Sequence, residues 1–244
     1  GLGYEPAGGH TARGVVGRIF LTTVTKGDHL FTYHGNVFDH PLAIDKWLKY
    51  LPLLDTRQEP LIDVALFYPE TENQLGDAAF RYIYAWGFNP IAREIRRVVD
   101  VDYLDDRLIR DGFLGRYKAL VFTWGSRIPA DVQRTVDAWL RKGGTILYPS
   151  YPRVPQETIE GDTSTYQRWL RGDTGRGAFH KFQGNVEPPS CYGEFVRSVL
   201  RMMPGLQPWT SNALAVTHPF GVFLSVQADG HLLALNYSDE PARV

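Results

Sequence analysis

Three runs decide the fold: Leu61-Ile-Asp-Val-Ala-Leu-Phe-Tyr68, Ala119-Leu-Val-Phe-Thr123 and Thr145-Ile-Leu-Tyr148. Each is short and mostly apolar, so each reads as a strand covered on both faces rather than one alternating between core and water. Helical patterns lie between them. Asn73 to Trp86 carries Leu75, Ala79, Tyr82, Ile83 and Trp86 at helix spacing and stops at Gly87. Pro129 to Lys142 has proline at its start and Gly143-Gly144 past its end, the asymmetry expected of a helix. The β-branched run from Arg96 to Val101 reads as a further strand. Strands alternating with helices predict an α/β fold, a parallel sheet with helices on both faces. Val64, Leu66, Leu120, Phe122 and Ile146 are expected to be nearly inaccessible.

Outside this centre the patterns are shorter. Thr11 to Thr25 places Val15, Val16, Ile19, Phe20 and Val24 on one helical face. Asp28 to Tyr33 alternates as a strand, and Pro41 to Leu54 reads as a second helix with Leu42, Ile44, Trp47, Leu48 and Leu51 on its apolar side. Such a unit needs more strands on its N-terminal side to cover itself. After the centre, Asp162 to Arg171 reads as a short helix with Trp169 and Leu170 inward. Ala178 to Phe182 reads as a strand, Tyr192 to Met202 as a helix and Ala213 to Thr217 as a strand. Val222 to Gln227 and His231 to Asn236 predict a hairpin, with Asp229-Gly230 as its turn signal.

The formal net charge is -1 over 244 residues, so there is no electrostatic footprint for nucleic acid or an anionic membrane. No run approaches the length of a membrane-spanning helix. A single cysteine, Cys191, excludes an intrachain disulfide and a cysteine-based metal cluster, and leaves the compartment open. The chain opens on Gly1-Leu2-Gly3 rather than methionine, which reads as a missing natural N-terminus.

The segment Tyr4-Glu5-Pro6-Ala7-Gly8, followed by Gly14 and Arg18 and then by Gly27-Asp28 and Phe31-Thr-Tyr33, resembles the last two βα units of a clan A glycoside hydrolase barrel. The likeness is to the family 42 β-galactosidases. In that family a flavodoxin-like trimerisation domain, related to class I glutamine amidotransferases, follows the barrel. Asp63 to Tyr68, Asp105 to Tyr117 as a connecting helix, Lys118 to Phe122 and Val136 to Leu147 look like parts of it. The resemblance implies three segments: 1–56 as barrel units, 57–212 as a non-catalytic flavodoxin-like domain, and 213–244 as β strands opening a small β domain or closing the middle sheet. It also implies a carbohydrate substrate, a homo-oligomer (a trimer in the family), and no cofactor.

Glu5 would then correspond to the nucleophile of a retaining glycosidase, which works with a second carboxyl group about 5 Å away. That partner would sit on a strand this chain does not contain, so the chain alone is expected to be inactive. The plain alternative for Glu5 is a solvated terminal glutamate. Tyr33 and His34 follow the eighth-strand segment, where barrels place substrate-binding residues. They read equally well as loop residues packed on a helix.

Amidotransferase chemistry needs a cysteine on a sharp strand-to-helix turn, backed by histidine. The matching turns, Thr123-Trp-Gly-Ser126 and Tyr148-Pro-Ser-Tyr151, offer Ser126 and Ser150 without a nucleophile-elbow pattern. Cys191 reads as a packed small residue. Asp100, Asp102, Asp105, Asp106 and Asp111 cluster around Tyr103, yet their spacing fits no EF-hand loop. With Arg107 and Arg110 interleaved, they read as a self-paired solvated face. His180 and His218 lack neighbours at metal-ligand spacing. A non-enzymatic scaffold for assembly or carbohydrate binding is the competing reading.

Overall fold

A computed structural model describes residues 17, 45, 48–50, 52, 57–75, 88–123, 126–148, 155–183, 190–208, 210, 222–236 and 241. The chain divides into two compact units, one of residues 62–217 and one of residues 1–61 with 218–244.

In residues 62–217 the elements run β1 (Val64–Phe67), α1 (Glu70–Gln74), α2 (Phe88–Arg96), β2 (Asp102–Leu104), α3 (Asp106–Arg110), a 3-10 turn (Phe113–Arg116) and β3 (Ala119–Val121). They continue with β4 (Arg127–Ile128), α4 (Ala130–Arg141), β5 (Thr145–Tyr148), β6 (Glu157–Thr158), α5 (Ser164–Leu170), β7 (Ala178–Lys181) and α6 (Ser190–Met202). Five strands form one sheet in the order β2-β1-β3-β5-β7, and every pairing in it is parallel. β4 and β6 pair separately. With that small pair set aside, the order is 2-1-3-4-5, the flavodoxin type of doubly wound sheet.

The continuous apolar runs now have their reason. Side chains alternate across a strand, and both faces are covered. Val64, Leu66, Ala119, Val121 and Leu147 face a core completed by α2 and α6, through residues such as Ile91, Ile95, Val196 and Leu200. Ala65, Phe67, Leu120, Phe122, Ile146 and Tyr148 face the other core, against Val132, Val136, Leu140, Tyr166 and Trp169. Val64, Leu66, Leu120, Phe122 and Ile146 are fully inaccessible, as their runs predict. Asp63 fastens the entry to β1. Its Oδ2 accepts the Gln207 N–H at 2.8 Å and the Thr210 hydroxyl at 2.7 Å.

Three local expectations need correction. Arg96 to Val101 is not a strand: it is the end of α2 and the turn after it, and the edge strand is Asp102–Leu104. Ile91, Ala92, Ile95, Val98 and Val99 share one core, a stripe that continues helix spacing past the last helical turn. The segment from Asp105 to Tyr117 is not one helix. It breaks at Gly112, which adopts φ 87, into α3 and the 3-10 turn. In α5, Trp169 is inward as expected, but Leu170 is 42% exposed, and Tyr166, four residues before Leu170, fills the core place instead.

In the second unit, β8 (Val222–Val226) and β9 (Leu232–Asn236) form the antiparallel hairpin. Gly230 takes φ 87 in its turn, and the Gln227 N–H closes it onto the His231 carbonyl at 2.8 Å. The pair is its own two-stranded sheet rather than an extension of the five-stranded one. Leu61 and Ala228 add backbone bonds to Val226 and Glu59 along this hairpin. Gly17, Asp45 and residues 48–50 are helical, and Leu48 is 64% exposed. The rest of the N-terminal pattern, residues 76–87 and the run 213–217 lie outside the described residues. Among the described residues no helix is long and apolar enough to cross a membrane.

Candidate functional site

In open α/β sheets, ligands bind beyond the carboxyl ends of the strands, where the strand order reverses. Here that place is the crevice between β1 and β3. The five-residue α1 begins directly after β1, so Thr71 and Glu72 stand at the end of the sheet. These two consecutive side chains engage opposite sides. Glu72 is buried and accepts both the backbone N–H and the hydroxyl of Ser126, each at 2.9 Å, on the segment after β3. Thr71 donates its N–H at 3.2 Å, and also its hydroxyl, to Oδ2 of Asp106 after β2. The start of α1 is therefore tied to both neighbours of β1.

Among the described residues the chemistry of this end is limited. Ser126 gives its proton to a carboxylate, and no histidine stands between them, so the pair lacks the relay that activates a hydroxyl. Thr123, fully buried, has a hydroxyl without a partner, and so does one oxygen of Asp106. Burial raises the Asp106 carboxyl above the ordinary value; the bonds from Thr71 and the charge of Arg110 oppose that rise, and Asp105 adds to it. A carboxyl whose folded pKa lies above its unfolded one binds more protons when folded, so stability falls as pH rises through that interval. Asp106→Asn is expected to remove this dependence. Denaturant melts across pH 3.5 to 7 should show the variant gaining on the parent as pH rises, and parallel curves would refute the assignment.

The acidic cluster resolves into separate partnerships. Asp100 pairs with Arg96 at 2.8 Å, Asp102 accepts the Tyr117 hydroxyl at 2.8 Å, and Asp105 caps α3 through the Leu108 N–H. Arg107 reaches Asp111 at 3.9 Å within the helix region, whereas Arg110 crosses to Asp131 on α4 at 2.6 Å. No group of acidic, histidine or cysteine side chains among the described residues could hold a metal ion. Cys191 is half-buried on α6. His180 sits on β7, where burial lowers its pKa. Glu5, Tyr33 and His34, like Ser150 and His218, lie outside the described residues.

Sequence reasoning missed Glu72 and Thr71, whose partners lie 54 and 35 residues away with no local pattern to announce them. It also missed the link between α4 and α5. Asp137 binds Arg141, Arg168 and the Trp169 N–H, and only the Asp137–Arg141 spacing of four residues was a readable signal.

No model of a known protein family matches this chain, and no curated protein matches it. Solved structures do. A catalytic mutant of Gan42B, a GH42 beta-galactosidase from G. stearothermophilus, aligns with a TM-score of 0.56 and 16% identity over 86% of this chain and 39% of that one. Gan42B itself aligns with a TM-score of 0.52 and 14% identity over 89% of this chain and 42% of that one. At these identities the likeness shows a shared fold. The chain spans well under half the length of the structures it matches.

Proposed function

We propose that this chain is the C-terminal part of a retaining β-glycosidase of the β-galactosidase type, with Glu5 as nucleophile and residues 62–217 as a non-catalytic assembly domain. The observation that carries the reading is the fold likeness to a GH42 beta-galactosidase across 86% of the chain. The quoted segment around Glu5 supports it. Glu5 would attack the anomeric carbon, while Tyr33 and His34 would contact the sugar. The acid/base carboxyl, needed about 5–5.5 Å from the nucleophile, would come from a preceding strand. The tied-down sheet end favours the scaffold role for residues 62–217, because Glu72 and Ser126 engage one another. The same role suits a homo-oligomer, a trimer by the family resemblance.

The 244-residue chain alone is expected not to hydrolyse nitrophenyl β-galactoside. Extended by its natural upstream sequence it should do so, and Glu5→Gln in the extended protein should abolish turnover. An extended protein that is inactive on aryl β-glycosides, or fully active as Glu5→Gln, would sink the glycosidase reading and leave the scaffold.

A further inference from the structure

We propose that the groove between α4 and the Gly112–Gly115 turn is a binding site for a ring-shaped organic carboxylate. Its volume is about 600 Å³, within the range of small-molecule sites. One wall is a stripe of α4: Asp131, Arg134, Thr135, Ala138, Trp139 and Lys142 line it. These positions follow a spacing of three and four residues, so they form one helical face. The core face of the same helix is Val132, Val136 and Leu140. Trp139 falls at the seam between the two faces and is half-buried.

The indole is set flat. A Cβ on Gly144 would lie 2.5, 2.5 and 2.6 Å from three atoms of the fused ring system, which places the Gly144 Cα over the face of that ring. The ring is thus held by the chain on one side while it borders the groove. Ile109 and Leu114 back the groove from the core at 0% and 2% exposure, so a ligand meets Trp139, Ala138, Gly112 and Gly115. Gly112 and Gly115 leave that wall open, with no atom within 4 Å of a Cβ built on either. An aromatic wall beside small, open residues suits a flat ring, whether aromatic or the C–H face of a pyranose.

Charge selects the sign of the ligand. Asp131 is taken by Arg110 at 2.6 Å. The side chains of Arg134 and Lys142 are exposed and form no ion pair or hydrogen bond among the described residues, which leaves two positive charges flanking the indole. They stand about 12 Å apart along the helix, before and after Trp139, so a ring on the indole lies within reach of either long side chain. A carboxylate on that ring would meet a cation that no described group neutralises. This site is independent of Glu5 and of the glycosidase reading.

The test is calorimetric titration of the 244-residue chain at low salt with glucuronate, benzoate and neutral glucose. Saturable binding of glucuronate, benzoate or both, with none for glucose, is the expected result, and the two acids separate a sugar source from an aromatic one. The double variant Arg134→Gln/Lys142→Gln should weaken binding roughly tenfold, the scale of two partly exposed charge contacts. Gly115→Leu should block the groove while the melting temperature holds, because its side chain meets open space at an ordinary φ. Binding of neither acid at millimolar concentration, or binding unchanged by both variants, would overturn the proposal.

Discussion

Trp169→Ala is expected to cost about 3–5 kcal/mol of unfolding free energy, the range for deleting a large buried aromatic side chain. Trp169 is 1% exposed in the core shared by α4, α5 and the sheet. Its ring lies 5.7 Å from that of Phe179 on β7. Phe179 in turn contacts Tyr148 and Tyr166, so the cavity would open inside a contiguous aromatic cluster. The indole N–H also donates to Asp137 Oδ1 at 2.8 Å. Burial pushes the Asp137 carboxyl up, but the bonds from Trp169, Arg168 and Arg141 outweigh it and hold the group below its ordinary value. A depressed carboxyl contributes stability that is present above its unfolded pKa and lost as pH falls through the folded one. Trp169→Phe therefore separates the two effects. It keeps most of the volume and should cost less than Trp169→Ala, while weakening the acid-side loss of stability. Urea melts at pH 7 and pH 4 read both. A loss under 1 kcal/mol for Trp169→Ala would show that the cluster repacks.

Gly177→Ala should destabilise by about 3 kcal/mol or more, because overpacking against rigid atoms is costly. A Cβ there would stand 2.1 Å from the Leu140 carbonyl oxygen and 2.4 Å from that of Gly144. Both are backbone atoms at the end of α4 and in the turn after it, so no side chain can swing aside. The chain passes this point held by two backbone bonds, Arg176 N–H to Arg141 at 3.1 Å and Ala178 N–H to Gly144 at 3.1 Å. A methyl group would have to break them and lift the start of β7 from β5. Gly172→Ala is the control. Gly172 takes φ 81 with nothing near its Cβ position, so alanine there meets only the left-handed backbone penalty of roughly 1–2 kcal/mol. Equal losses at the two sites, measured by chemical denaturation, would show that close approach is not what Gly177 provides.

The parallel sheet was legible because its strands are buried on both faces. Such strands are apolar almost throughout, as are Val64–Phe67, Ala119–Val121 and, after its first residue Thr145, Thr145–Tyr148. The hairpin was legible because a left-handed glycine must stand in its turn. The edge strand was misplaced because Val98 and Val99 are β-branched, and β preference outvoted the helical spacing that Ile91, Ala92 and Ile95 had begun.

Of the candidate sites, local order along the chain could point to Glu5, Tyr33 and His34, and to the barrel and sheet segments they resemble. Local order also carried the stripe of α4 that now borders the groove, since a helix of known phase dictates which residues share a face. It could not say that Gly112 and Gly115 stand across from that stripe, that Arg110 and not Arg134 takes Asp131, or that Glu72 closes onto Ser126. Those pairings join residues 21 to 54 positions apart, or set one element against another. Short-range preference encodes the period and burial of each segment. Which charge is satisfied and which is left free depends on the packing of one segment against another, and only the tertiary structure decides that.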